Sequence, residues 1–575
     1  MKKISLCLIA CMLASMLLGC TSGSKDTGSV PDSTVLSASE TISNEAPAAA
    51  EPAKEEPDAD SKDETAAPEQ ETAAELPVYE LPLTEDKVSF SIWCEGASPT
   101  VAASLGDDGS YNGSEATLYL EDLLGVHIDY VEVDMFSMAE NFSLMVASGD
   151  YTDILTSFDS NYAGGVTVGY ENEVIIAVDD LVAEMPHYAA YLDAHPEYAK
   201  LATSDNGLML FISSFCEENY TQQGGCIRQD WLDVLDLNTP TTFDEMTEVA
   251  RAFKNAYNSS ATIYLTKNYN PMYAFSSGFD LPAFDFTVTG SGFYQIDGEI
   301  QCAYVRDEFK EMVKLIQSWY EEGLVSPDFF AMGGGGDAQT MINNDQVGIC
   351  WNRAESITDY NTQLADTGFQ FAGIPGTLRE SGQVLHFAPE EPGIYMTFSI
   401  SSTCDNLDVL AKWLDWGFTT EGILFGNYGM EGFSYELDQN GEPQFTEAML
   451  DHNVGFKQSS ERYMRHAAPT VMDVDCGFAG IYDEVGLAAI EMWNSNYDGA
   501  YDLPSTLSLT SEENEVYSAK ITDCETFIQE WVMKSTFDGT DIDAQWDNYV
   551  DTVFSYGLQE CIDIQQASYD RFLSR

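Results

Sequence analysis

Near the start of the folded region, the pattern of apolar and polar positions predicts strands and helices in alternation. Residues 88–93 (VSFSIW) and 128–133 (IDYVEV) are rich in β-formers, and residues 153–156 (DILT) form a third short apolar run. Helical spacing covers residues 115–124 and 138–148, and a glycine follows the second helix as a stop signal. This order is typical of a parallel sheet with right-handed crossovers, so an α/β fold is predicted.

A second region in which the spacing of apolar residues predicts both helices and strands begins at residue 226. Thr242 and Glu245 have the spacing of a capping box, and apolar residues repeat at helical spacing from Phe243 to Tyr257. No internal repeat is visible, so two α/β lobes joined by several chain crossings fit this order better than four separate domains. The remaining predicted elements are strands at 262–266, 347–351 and 394–400, the last long enough to cross between lobes, and helices at 307–321, 543–556 and 558–572.

Two glycine-containing turns predict β-hairpins. Asn440-Gly441 lies between SYEL and PQFT, and Asp297-Gly298 lies between GFYQI and QCAYV. The glycines at 333–336 are not followed by the lysine that a phosphate-binding loop requires. This segment is therefore predicted to be a loop before a helix that starts near Asp337.

The first twenty residues predict export. Lys2 and Lys3 precede an apolar run that is too short to span a bilayer, so the run is interpreted as a secretory signal. Residues 17–20 (LLGC) are similar to a bacterial lipobox, which implies cleavage before Cys20 and its acylation, with anchoring at the extracellular face of the cell membrane. Residues 21–86 have no aromatic residue before Tyr79 and are rich in Ser, Ala, Pro and acids, which predicts a disordered acidic tether.

The charge and cysteine content narrow the possible functions. The chain has 24 Lys and Arg against 96 Asp and Glu, for a formal net charge of −72, so binding to nucleic acid is not expected. The 12 cysteines are scattered without a C-x-x-C motif, so neither a zinc site nor a disulfide framework is predicted, although Cys216 and Cys226 could pair. The six histidines show no metal-ligand spacing, and no cofactor is predicted.

Signatures of catalysis are missing from the sequence, whereas aromatic residues are abundant. There is no G-x-S-x-G or H-E-x-x-H motif, and acids are so dense that the two carboxylates a glycosidase needs would be found by chance. The 30 Tyr, 30 Phe and 9 Trp offer ring faces that can stack on sugars. Ligands bind beyond the carboxyl ends of parallel strands, which points to residues 93–95 and 157–159.

Four segments together resemble the extracellular solute-binding lipoproteins of bacterial ABC importers, in particular the large carbohydrate-type members of family 1. The lipobox and the acidic tether belong to the same pattern, and the resemblance covers nearly all of residues 88–575. The segments are 140–155 (ENFSLMVASGDYTDIL), 226–255 (CIRQDWLDVLDLNTPTTFDEMTEVARAFKN), 414–446 (LDWGFTTEGILFGNYGMEGFSYELDQNGEPQFT) and 557–572 (GLQECIDIQQASYDRF).

The resemblance implies a two-lobed, periplasmic-binding-protein-like fold of type II, with chain crossings between the lobes and C-terminal helices. It implies a monomer without catalytic activity that captures a solute, expected to be an oligosaccharide, by lobe closure and delivers it to a membrane permease. The expected boundaries are 1–20 for the signal peptide, 21–86 for the tether, 87–225 and 396–450 for the first lobe, and 226–395 and 451–575 for the second lobe with the C-terminal helices.

Carried onto this chain, the resemblance places ligand-binding residues at strand ends and in loops that face the other lobe. Arg228 could instead form an ion pair between lobes, Asp230 could cap a helix, and Trp493 is a weaker candidate. The expected ligand-binding residues are Trp93, Glu95, Ser157, Asp159, Arg228, Asp230, Trp351, Tyr428 and Glu431.

Three other functions stay open. The solute could be a peptide or a modified amino acid, or the chain could be a surface lipoprotein with a structural or sensory role and no permease. The third alternative is a cell-surface glycan hydrolase with Glu431 among its acids. The hydrolase is disfavoured because neither eight β/α repeats nor a β-sandwich pattern is visible.

Overall fold

The computed structural model of the chain describes residues 76–97, 102, 105, 109–134, 137–218, 221–266, 273–282, 292–332, 335–387, 392–450, 456–474, 476 and 482–575. The predicted signal peptide, Cys20 and residues 21–75 of the predicted tether lie outside the described residues. The last part of the predicted tether belongs to the folded body, because Leu83 is buried and the Tyr79 hydroxyl donates to Asp415 Oδ2 at 2.7 Å.

The described residues form thirteen strands, which lie in four sheets. In chain order they are β1 (Val88–Glu95), β2 (Val126–Val133), β3 (Ile154–Thr156), β4 (Ile212–Cys216), β5 (Gln223–Arg228), β6 (Phe293–Ile296), β7 (Glu299–Cys302), β8 (Ile349–Arg353), β9 (Phe371–Gly373), β10 (Gly393–Ile400), β11 (Tyr435–Leu437), β12 (Pro443–Phe445) and β13 (Val471–Met472).

The same residues form twenty α-helices. None of these helices combines the length and the apolar composition that a membrane crossing requires. In chain order they are α1 (Glu115–Leu124), α2 (Met138–Ser148), α3 (Phe158–Asn161), α4 (Gly165–Glu171), α5 (Asp179–Val182), α6 (Pro186–Ala194), α7 (Pro196–Ala202), α8 (Gln229–Leu235), α9 (Phe243–Tyr257), α10 (Tyr273–Ser276), α11 (Asp307–Glu321), α12 (Gly335–Asn343), α13 (Ala354–Gln363), α14 (Leu407–Trp416), α15 (Thr420–Tyr428), α16 (Phe456–Tyr463), α17 (Glu484–Trp493), α18 (Ser511–Phe537), α19 (Ile542–Ser555) and α20 (Leu558–Leu573).

The first sheet has six strands in the order β13, β4, β10, β3, β1, β2. β1 pairs in parallel with β2 and β3, which confirms the parallel arrangement predicted from the strand–helix alternation. β10 is antiparallel to both β3 and β4, and β13 is parallel to β4. Five strands therefore run in one direction, and β10 runs in the other.

The second sheet is smaller and antiparallel, with β5 between β8 and β9. The two predicted hairpins are confirmed as β6–β7 and β11–β12. The prediction of a strand at residues 262–266 is wrong, because Ile263 makes only a single bridge to Ile349 at the very start of β8. The apolar character of this run is explained by burial, since Ile263 and Leu265 lie in the core.

Each of the two larger sheets has its own hydrophobic core. Phe90, Ile154 and Trp416 belong to the core of the first sheet. Trp319 of α11 and Trp531 of α18 belong to a second core, which also contains residues of β5, α9 and α19. Full burial of one large apolar side chain contributes about 1.5–3 kcal/mol, so each core stabilises its own set of elements.

The chain passes between the two sheets three times. It leaves the first sheet after β4 and enters the second at β5, it returns at β10, and it leaves again after β13. These three strands are neighbours at one side of the first sheet, so all crossings lie together.

The chain returns to the first sheet earlier, and stays longer, than the predicted boundaries at 396 and 450. Gly393 already pairs with Cys216, and all of β10 lies in the first sheet, so residues 394–400 do not cross between lobes. Val471 and Met472 of β13 pair with β4 in the same sheet, within the stretch assigned to the second lobe.

Candidate ligand-binding site

The carboxyl ends of β1, β2, β3, β4 and β13 lie at one edge of the first sheet, where β10 begins. The shared edge follows from the strand directions, since five strands run in parallel and β10 opposes them. It is also the edge at which the chain crosses to the second sheet. Four strand spacings separate β13 from β1, and at about 4.8 Å each they give a row about 19 Å long.

Glu95, Ser157 and Asp159, predicted from strand ends, lie at this edge. Glu95 is exposed at the end of β1. Ser157 follows β3 with a φ of 50°, and its N–H donates to the Thr397 carbonyl at 3.2 Å. The exposed Asp159 carboxylate accepts from the Thr397 hydroxyl at 3.1 Å. This bond occupies one of its oxygens and leaves accepting capacity for a ligand hydroxyl.

Tyr428 lies at the β13 end of the same row. It is the last residue of α15, and its hydroxyl donates to Oδ2 of Asp473, the exposed residue after β13, at 3.4 Å. Burial first, and then the nearby Cys476 and Asp473, raise the pKa of the Tyr428 phenol well above its usual value. The phenol therefore stays protonated and able to donate.

Gly429 makes the sharp turn after Tyr428. Its φ is 80°, and a Cβ there would lie 2.3 Å from the Tyr463 carbonyl oxygen, so only glycine fits. The predicted Glu431 is exposed beyond this turn, and its backbone bridges to Tyr435 at the start of the β11–β12 hairpin. Asp438 closes the hairpin loop by accepting from the Asn440 and Glu442 N–H groups, which makes it a turn residue.

Trp93 has its ring inside the first lobe. Its indole is 2% exposed and packs edge-on against Phe142 at 5.0 Å, in a cluster that includes Leu155 and Phe158. The aromatic contact expected with a ligand is made with the protein's own side chains.

Trp351 lies on β8 in the second sheet and is 6% exposed. Phe275 contacts it edge-on at 5.6 Å, and its cross-strand neighbour is Gly225. Trp493 lies flat against the neighbouring Gly224, and its Nε1–H donates to the Gly225 carbonyl at 3.1 Å. Trp493 therefore packs directly on Gly224, whereas Ile374 fills the space beside Gly225, with Trp351 Nε1 3.7 Å from the position that a Cβ on Gly225 would have.

Arg228 and Asp230 form an ion pair within the second lobe. The Arg228 guanidinium donates to both oxygens of Asp230 at 2.8 and 2.7 Å and to Asp345 at 2.7 Å. It lies 4.3 Å from the ring centres of both Trp231 and Phe369 and is 4% exposed. An ion pair between lobes is not formed, because all of these partners flank the second sheet.

Three exposed residues at strand ends near the chain crossings were not predicted from the sequence. Tyr395, at the start of β10, is 50% exposed, and Asp473 follows a strand of two residues that is too short to show a pattern. Arg353 is exposed at the end of β8, opposite Gln223, where the chain enters the second sheet. Arg353 has the same strand-end position as Glu95, since it is the last residue of β8, two positions after Trp351.

The carboxylates of the row are not neutralised by basic residues. Within the described part of the chain, Glu95, Asp159 and Asp473 form no ion pair with Lys or Arg. No group of three or more His, Cys, Asp or Glu side chains in that part could hold a metal ion. The row therefore offers hydrogen-bond acceptors and a strongly negative surface potential to whatever binds there.

The two cysteines that could have paired are apart in the fold. Cys216 lies in the first sheet and Cys226 in the second, and both are buried and form no disulfide. Cys226 instead faces Cys350 across β5 and β8. Burial, and then the neighbouring thiol, raise the pKa of Cys226, so it is an unreactive thiol.

Comparison with known proteins identifies relatives over most of the chain. The family described as bacterial extracellular solute-binding protein matches residues 116–423. The fructooligosaccharide ABC transporter substrate-binding protein FusA of Streptococcus pneumoniae is 25% identical over 502 residues, which cover 79% of this chain and 86% of FusA.

Solved structures agree with this relationship. The alginate-binding protein AlgQ2 superimposes with a TM-score of 0.66 at 21% identity, covering 85% of this chain and 99% of AlgQ2. FusA in complex with kestose gives 0.64 at 21% identity, covering 85% and 100%. An HMO-binding solute-binding protein of Bifidobacterium longum infantis gives 0.65 at 20%, covering 84% and 99%. These structures confirm the predicted two-lobed α/β fold.

Proposed function

Because the chain belongs to the family of bacterial extracellular solute-binding proteins, we propose that it captures an oligosaccharide between its lobes for an ABC importer. The observation that carries this proposal is the exposed polar row across the strand ends of the first sheet. A row of about 19 Å is long enough for several sugar units in line. The relatives FusA and AlgQ2 bind fructooligosaccharide and alginate by their names, which supports a saccharide as the solute.

The proposed contacts combine hydroxyl acceptors with aromatic rings. Glu95, Asp159 and Asp473 accept from sugar hydroxyls, while Tyr395 and Tyr428 offer ring faces. Ser157, Glu431 and Arg353 belong to the same proposal. Trp93, Trp351, Arg228 and Asp230 are left out, because their functional groups are already bonded or packed inside their own lobes.

Closure is the proposed mechanism of capture. Ligand groups on the first sheet and on β8 of the second sheet can bind one solute together only when the lobes approach each other. A ligand that contacts both lobes favours the closed state by the difference in its affinity for the two states. We further propose that the protein acts as a monomer at the extracellular face of the membrane, anchored through acylated Cys20 by the part of the predicted tether that precedes the folded body, and passes its solute to a permease.

A neutral oligosaccharide is expected to bind better than an acidic one, because the row has three carboxylates without basic partners. The purified protein is to be screened by thermal shift with kestose, an alginate oligosaccharide of equal length, and a peptide. At about 100 times Kd, a ligand stabilises by about 2.7 kcal/mol, which is a measurable rise in melting temperature. A shift with the peptide alone would contradict the saccharide assignment, and a larger shift with alginate would contradict the preference for neutral sugars.

Asp473→Asn tests the site itself. Loss of a charged acceptor that also orients the Tyr428 hydroxyl should weaken binding of the saccharide by about 10-fold or more, measured by calorimetry. Glu436→Gln is the matched control, since Glu436 is an exposed acid on the β11–β12 hairpin, outside the row. An equal loss in both variants would mean that general charge, and not the row, determines affinity.

A further inference from the structure

The end of the C-terminal helix binds the first lobe through two arginines. Arg571 Nε donates to Asp205 Oδ2 at 2.7 Å, and Arg575 donates to Asp205 Oδ1 from Nε at 2.9 Å and from Nη2 at 2.6 Å. Asp205 lies in the turn after α7, whose Tyr198 packs in the core of the first sheet. Helix α20 packs with α18 in the second core. These ion pairs therefore join the two lobes.

A second carboxylate completes the cluster from the side of the second lobe. Arg571 donates from Nη1 and Nη2 to the two oxygens of Glu513 at 2.8 and 2.7 Å. Glu513 also closes the capping box of α18 by accepting from the Thr510 N–H at 2.9 Å. Two arginines thus balance two carboxylates, and we call Asp205, Glu513, Arg571 and Arg575 the interlobe clamp.

The clamp is partly shielded from water. The Arg575 side chain is 6% exposed and that of Asp205 is 18% exposed. Arg575 Nη1 also donates to the Thr203 carbonyl at 2.6 Å, and the Lys200 ammonium lies 4.8 Å from the centre of the Phe572 ring. Breaking a shielded pair leaves a charge uncompensated, which costs far more than loss of an exposed pair.

The clamp lies next to a chain crossing. Leu201, at the end of α7, approaches within 3.6 Å of the position that a Cβ would have on Gly393. Gly393 begins β10, where the chain returns from the second lobe. Atoms near a pivot move least when two bodies rotate about it, so the clamp can stay closed while the cleft edges separate.

We propose that the interlobe clamp is the fixed side of the hinge and that Asp205, Arg571 and Arg575 are positioning residues for solute capture. The clamp stays formed in both states and limits the ways in which the free lobes can lie relative to each other. A restricted open state loses less conformational freedom on closure, and so binds more tightly without any contact between clamp and solute. Only the affinity part of this proposal rests on the proposed function.

The test compares Asp205→Asn with the wild-type protein in two measurements. Without solute, small-angle X-ray scattering should give a larger radius of gyration for Asp205→Asn, because its lobes separate more widely. With saturating kestose, the two proteins should have equal dimensions, while the Kd of the variant rises by about tenfold. A purely local structural role would lower the melting temperature but would change neither the free dimensions nor the Kd.

Two further variants keep the outcome decisive. Arg575→Lys retains the charge but loses the forked donor geometry, so its radius of gyration and Kd should lie between those of the wild type and of Asp205→Asn. If Asp205→Asn does not fold, Arg575→Lys alone tests the proposal. Glu322→Gln is the control, since it removes an exposed ion pair with Arg251 inside one lobe and should change neither measurement. The proposed role of the clamp would be overturned if both clamp variants kept the wild-type radius of gyration and Kd, or if they bound kestose more tightly. If kestose binds neither wild type nor variant, the saccharide proposal fails while scattering still decides the clamp.

Discussion

Gly224 on β5 creates the space that a tryptophan fills. The ring of Trp493 occupies the position where a side chain on Gly224 would be, and Ile374 does the same at the neighbouring Gly225. A Cβ on Gly224 would lie 2.4 Å from three atoms of the Trp493 ring. The close approach buries a large aromatic surface against backbone, so these glycines are packing residues.

Gly224→Ala should therefore destabilise the second lobe. The indole cannot move away without breaking its 3.1 Å bond to the Gly225 carbonyl, and overpacking of this kind costs about 1–3 kcal/mol. Urea unfolding followed by far-UV circular dichroism would measure the loss. Gly224→Ala combined with Trp493→Leu should recover part of it, and an unchanged midpoint for the single variant would refute the packing argument.

At the residue scale, the sequence predicts which positions end strands but not which side chains are free there. Trp93 and Glu95 are both at the end of β1, yet one is core and the other exposed. Sheets covered by helices on both faces bury both sets of alternating positions, so alternation cannot separate core from ligand-facing residues. Arg228 shows the same limit, since its carboxylate and aromatic partners at positions 345 and 369 are remote in sequence.

At the element scale, two helices start with the same capping box. In α9, Thr242 and Glu245 bond each other's backbone, and in α18 Thr510 and Glu513 do so. The exposed Glu245 carboxylate of α9 accepts from Thr241 and Thr242 beside it, whereas Glu513 also binds Arg571 of the clamp. The same motif therefore has a local role in one helix and a role between elements in the other.

Thr510→Ala should cost more stability than Thr242→Ala. Loss of an N-cap hydroxyl costs about 1 kcal/mol in either helix, but at Thr510 it also frees Glu513 from the geometry that it needs to bind Arg571. Equilibrium unfolding of both variants gives the comparison directly. Equal losses would show that the capping box and the clamp are energetically independent.

Helices in which apolar residues repeat clearly at helical spacing were the most predictable elements. The observed bounds of α1, α2 and α11 agree with those predicted, and α19 and α20 agree to within one residue at each end. The 27-residue α18 was missed, although Ile521, Cys524 and Ile528 repeat at helical spacing, because none of its first ten residues is buried. Glu513 in this stretch contacts the clamp, and polar contacts leave no periodic signal.

At the scale of the whole molecule, charge repulsion opposes folding near neutral pH. A formal net charge of −72 means that the compact state holds many carboxylates at close range. The clamp carboxylates are exceptions, because their charged forms stabilise the folded state. Burial alone would raise the pKa of Asp205, but hydrogen bonds from Arg571 and Arg575 outweigh it and lower the pKa below its usual value of 3.8. Arg571 likewise lowers the pKa of Glu513 below 4.5, against the effect of its burial.

Stability should therefore pass through a maximum on acidification. Between neutral pH and the ordinary carboxylate range, protonation of surface acids relieves repulsion and the melting temperature rises. The contribution of Asp205 and Glu513 is complete above their unfolded pKa values and is lost as pH falls through the lower folded values, so the melting temperature then drops. Melting curves across the acid range would show the maximum, and the drop should be shallower in Asp205→Asn. A melting temperature that falls steadily as the pH is lowered from neutral would contradict this prediction.

The crossings at β13, β4 and β10 lie at one side of the first sheet, so a rotation between the lobes about these crossings would move the strands at the other side most. A rotation about that side moves each strand end in proportion to its distance from the pivot. Glu95 is about 19 Å from the β13 end of the row, so a rotation of about 15° would carry it about 5 Å while Asp473 hardly moves. One end of a bound sugar chain would thus contact residues that hardly move, and the other end would be contacted last, by Glu95. A sugar too short to reach β1 would make no contact with the part of the sheet that moves most on closure.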